Sequence, residues 1–293
     1  MGKALKIVVL AKQVPDTRNV GKDAMKEDGT VNRAALPAIF NPEDLNALEQ
    51  ALVLKDLCPG STVKILTMGP PRAADIIRDA MFRGADGGVL LTDRKFAGAD
   101  TLATSYALSR ALLKIKPDVI VAGRQAIDGD TAQVGPQVAE KLGLPQVTYA
   151  EAIEKITDKE IVIKRRLEHG VEVVSCPLPM VFTVNGSAPD CRMKNAKRVM
   201  QYKNAKTPSE LNAADDAYLN DQCCKKPWLN ISEWGVADIG DCDESQLGLA
   251  GSPTKVKKIE NVVFQAKESK KLTSSDGDIN SLMVELIASH TLG

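Results

Sequence analysis

The first strong pattern along the chain is an apolar run from Leu5 to Ala11, broken only by Lys6. Such a run predicts a central parallel strand covered on both faces. The polar stretch 16–32, with Gly21 and Gly29, predicts an excursion or small hairpin. Asn41-Pro42-Glu43-Asp44 then reads as a helix start, with Asn41 as N-cap, Pro42 at the first helical position and Asp44 at the third. Leu45, Leu48 and Leu52 follow at spacings that place them on one helical face. The alternation then repeats. Strands are expected over 62–68, 87–92 and 119–122, and helices over 73–83, 100–113 and 134–142, the last stopped by Gly143. Strands alternating with helices of this length define the α/β class, a mostly parallel sheet with helices on both faces.

After Thr148 the period changes. Runs over 160–165 and 171–175 flank His169-Gly170 and predict a hairpin added to the sheet, with one more short strand over 181–184. From about Pro189 the chain turns polar; short helices are expected over 211–219 and, more strongly, over 276–289, where Ile279, Met283 and Ile287 are spaced by fours. The expected organisation is a nucleotide-binding domain over 1–200 and an extended C-terminal arm over 201–293 that wraps a partner.

Composition narrows the classes. Lys plus Arg and Asp plus Glu both number 38 in the 293 residues, so no global charge favours nucleic acid or an anionic membrane. The longest apolar runs fall far short of the roughly 20 residues that span a bilayer. No secretory leader is expected, because Ala4-Leu5-Lys6 leads straight into a strand-like run. The six cysteines show no CxxC spacing and the two histidines lie far apart, so neither a structural zinc nor an iron–sulfur site is expected. Buried reduced thiols and a cytoplasmic location fit better.

Ligands in open parallel sheets bind beyond the carboxyl ends of the strands. Three post-strand segments qualify: 11–17, 68–71 and 123–133. The third is the most informative, because polar residues and two glycines follow directly on a buried strand. Gly123 and Gly129 permit close backbone approach, and N–H groups at the next helix start can cradle a phosphate. Pro136 would lie too deep in a helix that began at Asp130, which points to an irregular turn over 131–135. The plainer reading is that Asp128 and Asp130 only cap a turn. No GxGxxG follows the first strand and no GxxxxGK[ST] occurs, so a standard dinucleotide fingerprint and a P-loop are both disfavoured. Asp118, Asp128 and Asp130 have no distinctive metal-binding spacing. Neither His169 nor His290 has a nucleophile partner for a hydrolytic triad, and no catalytic residue is assigned. Lys164-Arg165-Arg166 reads as a solvated or interfacial strand face.

Several of these segments together resemble the beta-subunit family of electron-transfer flavoproteins, which has nitrogen-fixation-associated homologues. The likeness runs through residues 7–16, Asn41-Pro42-Glu43-Asp44, Gly84-Ala85-Asp86, residues 122–130, Lys164-Arg165-Arg166-Leu167-Glu168-His169-Gly170 and Pro177-Leu178-Pro179. The resemblance implies a Rossmann-like nucleotide-binding sheet in a heterodimer with an alpha subunit, which carries most of a redox-active FAD. The beta subunit holds a second nucleotide, AMP in simple carriers or FAD in electron-bifurcating members. That nucleotide would contact Ala11, Asn41, Met68, Ala122, Gly123, Arg124, Asp128, Asp130, Thr131, Ala132, Gln133 and Val134. The wording of residues 128–137 resembles that of bifurcating members, in which NADH is the hydride donor and the electrons divide between ferredoxin or flavodoxin and a flavin dehydrogenase such as acyl-CoA dehydrogenase. Arg192-Met193-Lys194-Asn195-Ala196 departs from the family's leucine-containing docking loop, which leaves the dehydrogenase partner open. A simple carrier with structural AMP and a non-redox adenine-nucleotide module remain the alternatives.

Overall fold

The computed structural model describes residues 3–16, 37–212, 221, 223, 225–254 and 271–289. Most of the expected excursion over 16–32 and the expected helix over 211–219 lie outside these residues.

The described strands are β1 (Lys6–Leu10), β2 (Gln13–Pro15), β3 (Ala38–Phe40), β4 (Thr62–Met68), β5 (Gly87–Leu91), β6 (Val119–Gly123), β7 (Gln146–Ile156), β8 (Glu160–Leu167), β9 (Gly170–Pro177), β10 (Met180–Val184) and β11 (Ser232–Trp234). Nine of them form one sheet in the order β11-β5-β4-β1-β6-β10-β7-β8-β9. Pairing is parallel from β11 through β7 and antiparallel from β7 to β9. A separate two-stranded ribbon joins β2 to β3.

Side-chain alternation along β1 explains why the sheet is covered twice. Ile7 and Val9 face one core layer together with Leu48 and Leu52 of α1 (Pro42–Leu57) and Ile77 of α2 (Ala74–Arg83). Val8 and Leu10 face the other, with Leu108 and Leu112 of α3 (Thr101–Ile115) and Val138 of α4 (Val134–Leu142). Each large aliphatic side chain so buried contributes about 1.5–3 kcal/mol. That sum, spread over both layers, holds the helices where their first turns meet the strand ends.

The helix boundaries follow local chemistry. Asp100 caps α3 by accepting the N–H groups of Leu102 and Ala103. Gly143 closes α4 at φ 62°, a left-handed position glycine adopts freely. The expected hairpin forms as β8–β9, paired from Glu160↔Pro177 to Leu167↔Gly170. The strand before it was not expected from the sequence: β7 runs from Gln146 to Ile156 as the antiparallel partner of β8.

Beyond residue 200, the described segments up to Thr254 belong to the same compact unit as the sheet. Leu229 and Ile231 are buried in the first core layer, and β11 extends the sheet at β5. The described residues 271–289 belong to a second unit. Its described part contains the helix Asp276–Ala288, whose Ile279, Leu282, Met283, Val284 and Ile287 are exposed. Among the described residues, no helix is long and apolar enough to cross a membrane and no cluster of ligating side chains could hold a metal ion.

Candidate functional site

The strand order creates the site. From β1 the chain steps outward through β4 and β5, then returns to place β6 on the other side of β1. Loops leaving β1 and β6 therefore diverge, and a crevice opens between them at the carboxyl ends. It encloses about 660 Å³ and is bounded by Leu10–Lys12, Met68–Pro71, the turn after β5, the start of α3 and the loop after β6. That volume lies within the range of small-molecule and cofactor sites. Leu10, Leu66, Phe96 and Leu108 give it an apolar floor.

The first turn of α1 locks the loop after β6 in place. Asn41 was expected to cap this helix, but its side chain makes no cap bond. Its amide instead donates to the Gln125 carbonyl at 2.8 Å and accepts the Ile127 N–H at 3.2 Å. Pro42 opens the helix, where its missing N–H costs nothing. Glu43 binds the Arg124 guanidinium at 2.9 Å and accepts the Gln125 N–H at 2.9 Å. Asp44 accepts the N–H of Lys12 on one oxygen at 2.8 Å and that of Gly123 on the other at 3.0 Å. Burial pushes the Asp44 carboxyl up to about 7, against the opposing pull of the hydrogen bonds from Lys12, Asn41 and Gly123. Lys12 in turn pairs with Asp128 at 2.7 Å.

Two glycines are required by this packing. A Cβ at Gly123 would lie 2.8 Å from the Glu43 carbonyl carbon and 2.9 Å from the Asp44 nitrogen, contacts real Cβ atoms do not make. A Cβ at Gly135 would meet the Thr183 methyl at 2.5 Å. Gly135 therefore lets the start of α4 press against β10.

Between these glycines the backbone is shaped for an anion. Asp130 and Ala132 adopt left-handed φ values of 48° and 52°, unusual for residues with a Cβ, and Gln133 returns to φ −107°. Such alternation turns successive N–H groups toward one concave side. Among the described residues, the N–H groups of Thr131, Ala132 and Gln133 donate to no protein acceptor. The helix begins only at Val134, so Pro136 falls in its first turn, where it is tolerated. The irregular turn expected from Pro136 is present.

Of the residues expected at the site, Ala11, Met68, Ala122, Gly123, Arg124, Asp130, Thr131, Ala132, Gln133 and Val134 line the crevice. Asn41 and Asp128 do not: Asn41 lies behind the loop and Asp128 faces Lys12. Sequence reasoning missed the segment 92–101 after β5, which supplies a whole wall. The strand-end rule that selected the other three segments applied to it equally. It also took Glu43 and Asp44 as helix-start acids and nothing more. His169 lies in the β8–β9 turn, away from the crevice.

A phosphate-bearing nucleotide fits this donor set: free N–H groups at a helix start, glycines where a Cβ would intrude, and an apolar floor for a flat ring. The model for the electron transfer flavoprotein domain matches residues 28–213. The chain is 45% identical over 254 residues to the electron transfer flavoprotein subunit beta of Clostridium acetobutylicum, covering 87% of each. The chain belongs to the electron transfer flavoprotein family. It is also 44% identical to the CarD subunit of the caffeyl-CoA reductase–Etf complex of Acetobacterium woodii, covering 86% of each chain. A third relative is the electron transfer subunit gamma of acryloyl-CoA reductase from Anaerotignum propionicum, 42% identical with 86% of each chain covered. Membership of the electron transfer flavoprotein family makes this an electron-transfer protein with a flavin- or nucleotide-associated site.

Proposed function

We propose that this chain is the beta subunit of a cytoplasmic, heterodimeric electron transfer flavoprotein and holds FAD in the crevice at the β1/β6 switch point. The observation that carries the reading is the loop after β6, which combines left-handed Asp130 and Ala132, unpaired N–H groups and two obligatory glycines over an apolar floor. The N–H groups of Thr131 to Gln133 would receive the phosphates, and the floor around Leu10 and Leu66 would take a ring. When bound, FAD supplies hydride and single-electron transfer, which amino-acid side chains lack. The chain's own share is placement: Asn41, Glu43 and Asp44 fix the loop, and Lys12 and Arg124, paired with Asp128 and Glu43, line the rim. FAD in this position, rather than AMP, supports a bifurcating role with NADH as donor and ferredoxin or flavodoxin among the acceptors.

The partners in this reading are an alpha subunit and a flavin dehydrogenase of the acyl-CoA type. The exposed apolar face of the helix Asp276–Ala288 supports its use as an arm on the alpha subunit. Met193, 85% exposed beside Lys194, supports dehydrogenase docking through residues 192–199.

The test is the nucleotide released by denaturing the complex co-purified with its alpha subunit. Two FAD per heterodimer and no AMP is the expected result. One FAD with one AMP would overturn bifurcation and leave a simple carrier; no nucleotide beyond that of the alpha subunit would overturn the site.

A further inference from the structure

Among the described residues, Asp44 is the one carboxyl group lining the crevice that joins the ends of two central strands. Each of its oxygens takes a backbone N–H, that of Lys12 just beyond β1 and that of Gly123 at the end of β6. These are the strands whose loops diverge to open the crevice. The contact is close enough that Gly123 has no room for a Cβ against the first turn of α1. Asp44 thus ties main chain to main chain through its two oxygens.

We propose that Asp44 is a positioning residue for the nucleotide: its carboxylate clips the β1 end to the β6 end and so sets the width of the crevice floor. The inference rests on the reading that this crevice holds a nucleotide. A carboxylate suits the task because both oxygens accept. A protonated acid has one oxygen committed to an O–H, accepts less well there, and lets the strand ends part.

The charged and titratable groups around Asp44 are few. Glu43 precedes it on α1 and is engaged with Arg124; Lys12 faces it from β1 through its backbone, with its ammonium held by Asp128; Gly123 and Arg124 face it from the end of β6. Among the described residues, no histidine lines the crevice. The carboxyl titrates at about 7, raised from 3.8 by burial.

Two pH responses of opposite sign follow. The unfolded chain loses this proton near 3.8 and the folded chain only near 7, so the folded state binds more protons between these values. Its contribution to stability is full below the unfolded value and is lost as pH rises through about 7. Nucleotide binding runs the other way, because the ionised form makes the clip. If only that form binds well, the ionised fraction falls about tenfold from pH 8 to pH 6 for a group titrating at about 7, and the apparent Kd rises about tenfold.

The experiment titrates the nucleotide-stripped full-length chain with FAD and with AMP at pH 6 and pH 8, following melting temperature in parallel. Wild type is expected to bind about tenfold more weakly at pH 6. D44N should bind weakly at both pH values, melt no lower than wild type at pH 8, and lose the pH dependence; H169Q should keep it. Flat or reversed wild-type affinity between pH 6 and 8 overturns the inference without any variant. So does a D44N protein that binds like wild type, or one that loses affinity and melting temperature together, which marks Asp44 as structural only. Wild type that binds neither nucleotide at either pH overturns the nucleotide reading itself, and the inference with it.

Discussion

The loop after β6 and the hairpin β8–β9 both carry arginine–glutamate pairs, and the two sets differ in their surroundings. Arg124 meets Glu43 at 2.9 Å, with the Glu43 side chain only 13% exposed. Arg165 meets Glu172 at 2.6 Å, with the Glu172 side chain 50% exposed. Distance alone would rank the hairpin pair as the stronger. Yet Glu43 also accepts the Gln125 N–H, so its charge fixes the course of the main chain, while Glu172 faces solvent and another side chain. A carboxylate organises structure when it takes backbone donors away from water; in the open it only decorates a strand.

The contrast can be broken most forcefully at Gly123. Gly123→Ala forces a Cβ into the Glu43 and Asp44 backbone, where nothing flexible can yield. We expect a loss of about 3 kcal/mol in urea unfolding and no retained nucleotide on purification. A variant with wild-type stability and full nucleotide content would mean that α1 slides freely and the clamp is not rigid.

Glu43→Ala comes next. It removes the partners of Arg124 and of the Gln125 N–H together, and about 2 kcal/mol should be lost with nucleotide affinity reduced at least tenfold. If Arg124→Ala alone reproduced the whole effect, the side-chain pair would matter and the backbone bond would not. The smallest effect belongs to the hairpin. Glu172→Gln should change stability by no more than about 0.5 kcal/mol and leave binding untouched, measured by the same denaturation and titration. A larger loss there would erase the distinction between the two regions.

Most of the architecture was legible because it rests on local periodicity. The run from Leu5 to Ala11, the helix over 134–142 and the hairpin about His169-Gly170 each announce themselves within a few turns of chain. The anion-facing loop was legible in part, since Gly123 allows the close approach of α1 and Pro136 delays the helix start, but Gly129 has open space around it and the left-handed positions fall on Asp130 and Ala132. Less visible were features that join distant segments. Asn41 looks like a helix cap in sequence, but its amide finds better partners 84 and 86 residues away. The segment 92–101 becomes a wall only because β5 lies two strands from β1 in the sheet. Likewise β11 is three residues of unremarkable sequence that become a strand through pairing with β5.

By itself, then, the order of apolar and polar residues determined which segments become strands and helices, and where glycine and proline shape the loop that follows β6. The tertiary structure alone decided that α1 would begin against that loop. Only packing 79 residues apart in the chain brings the Asp44 carboxylate to the Gly123 N–H, turning a helix-start acid into the tie between two strand ends. Hydrogen-bond partners of buried polar groups are chosen by proximity in space, which local sequence does not encode.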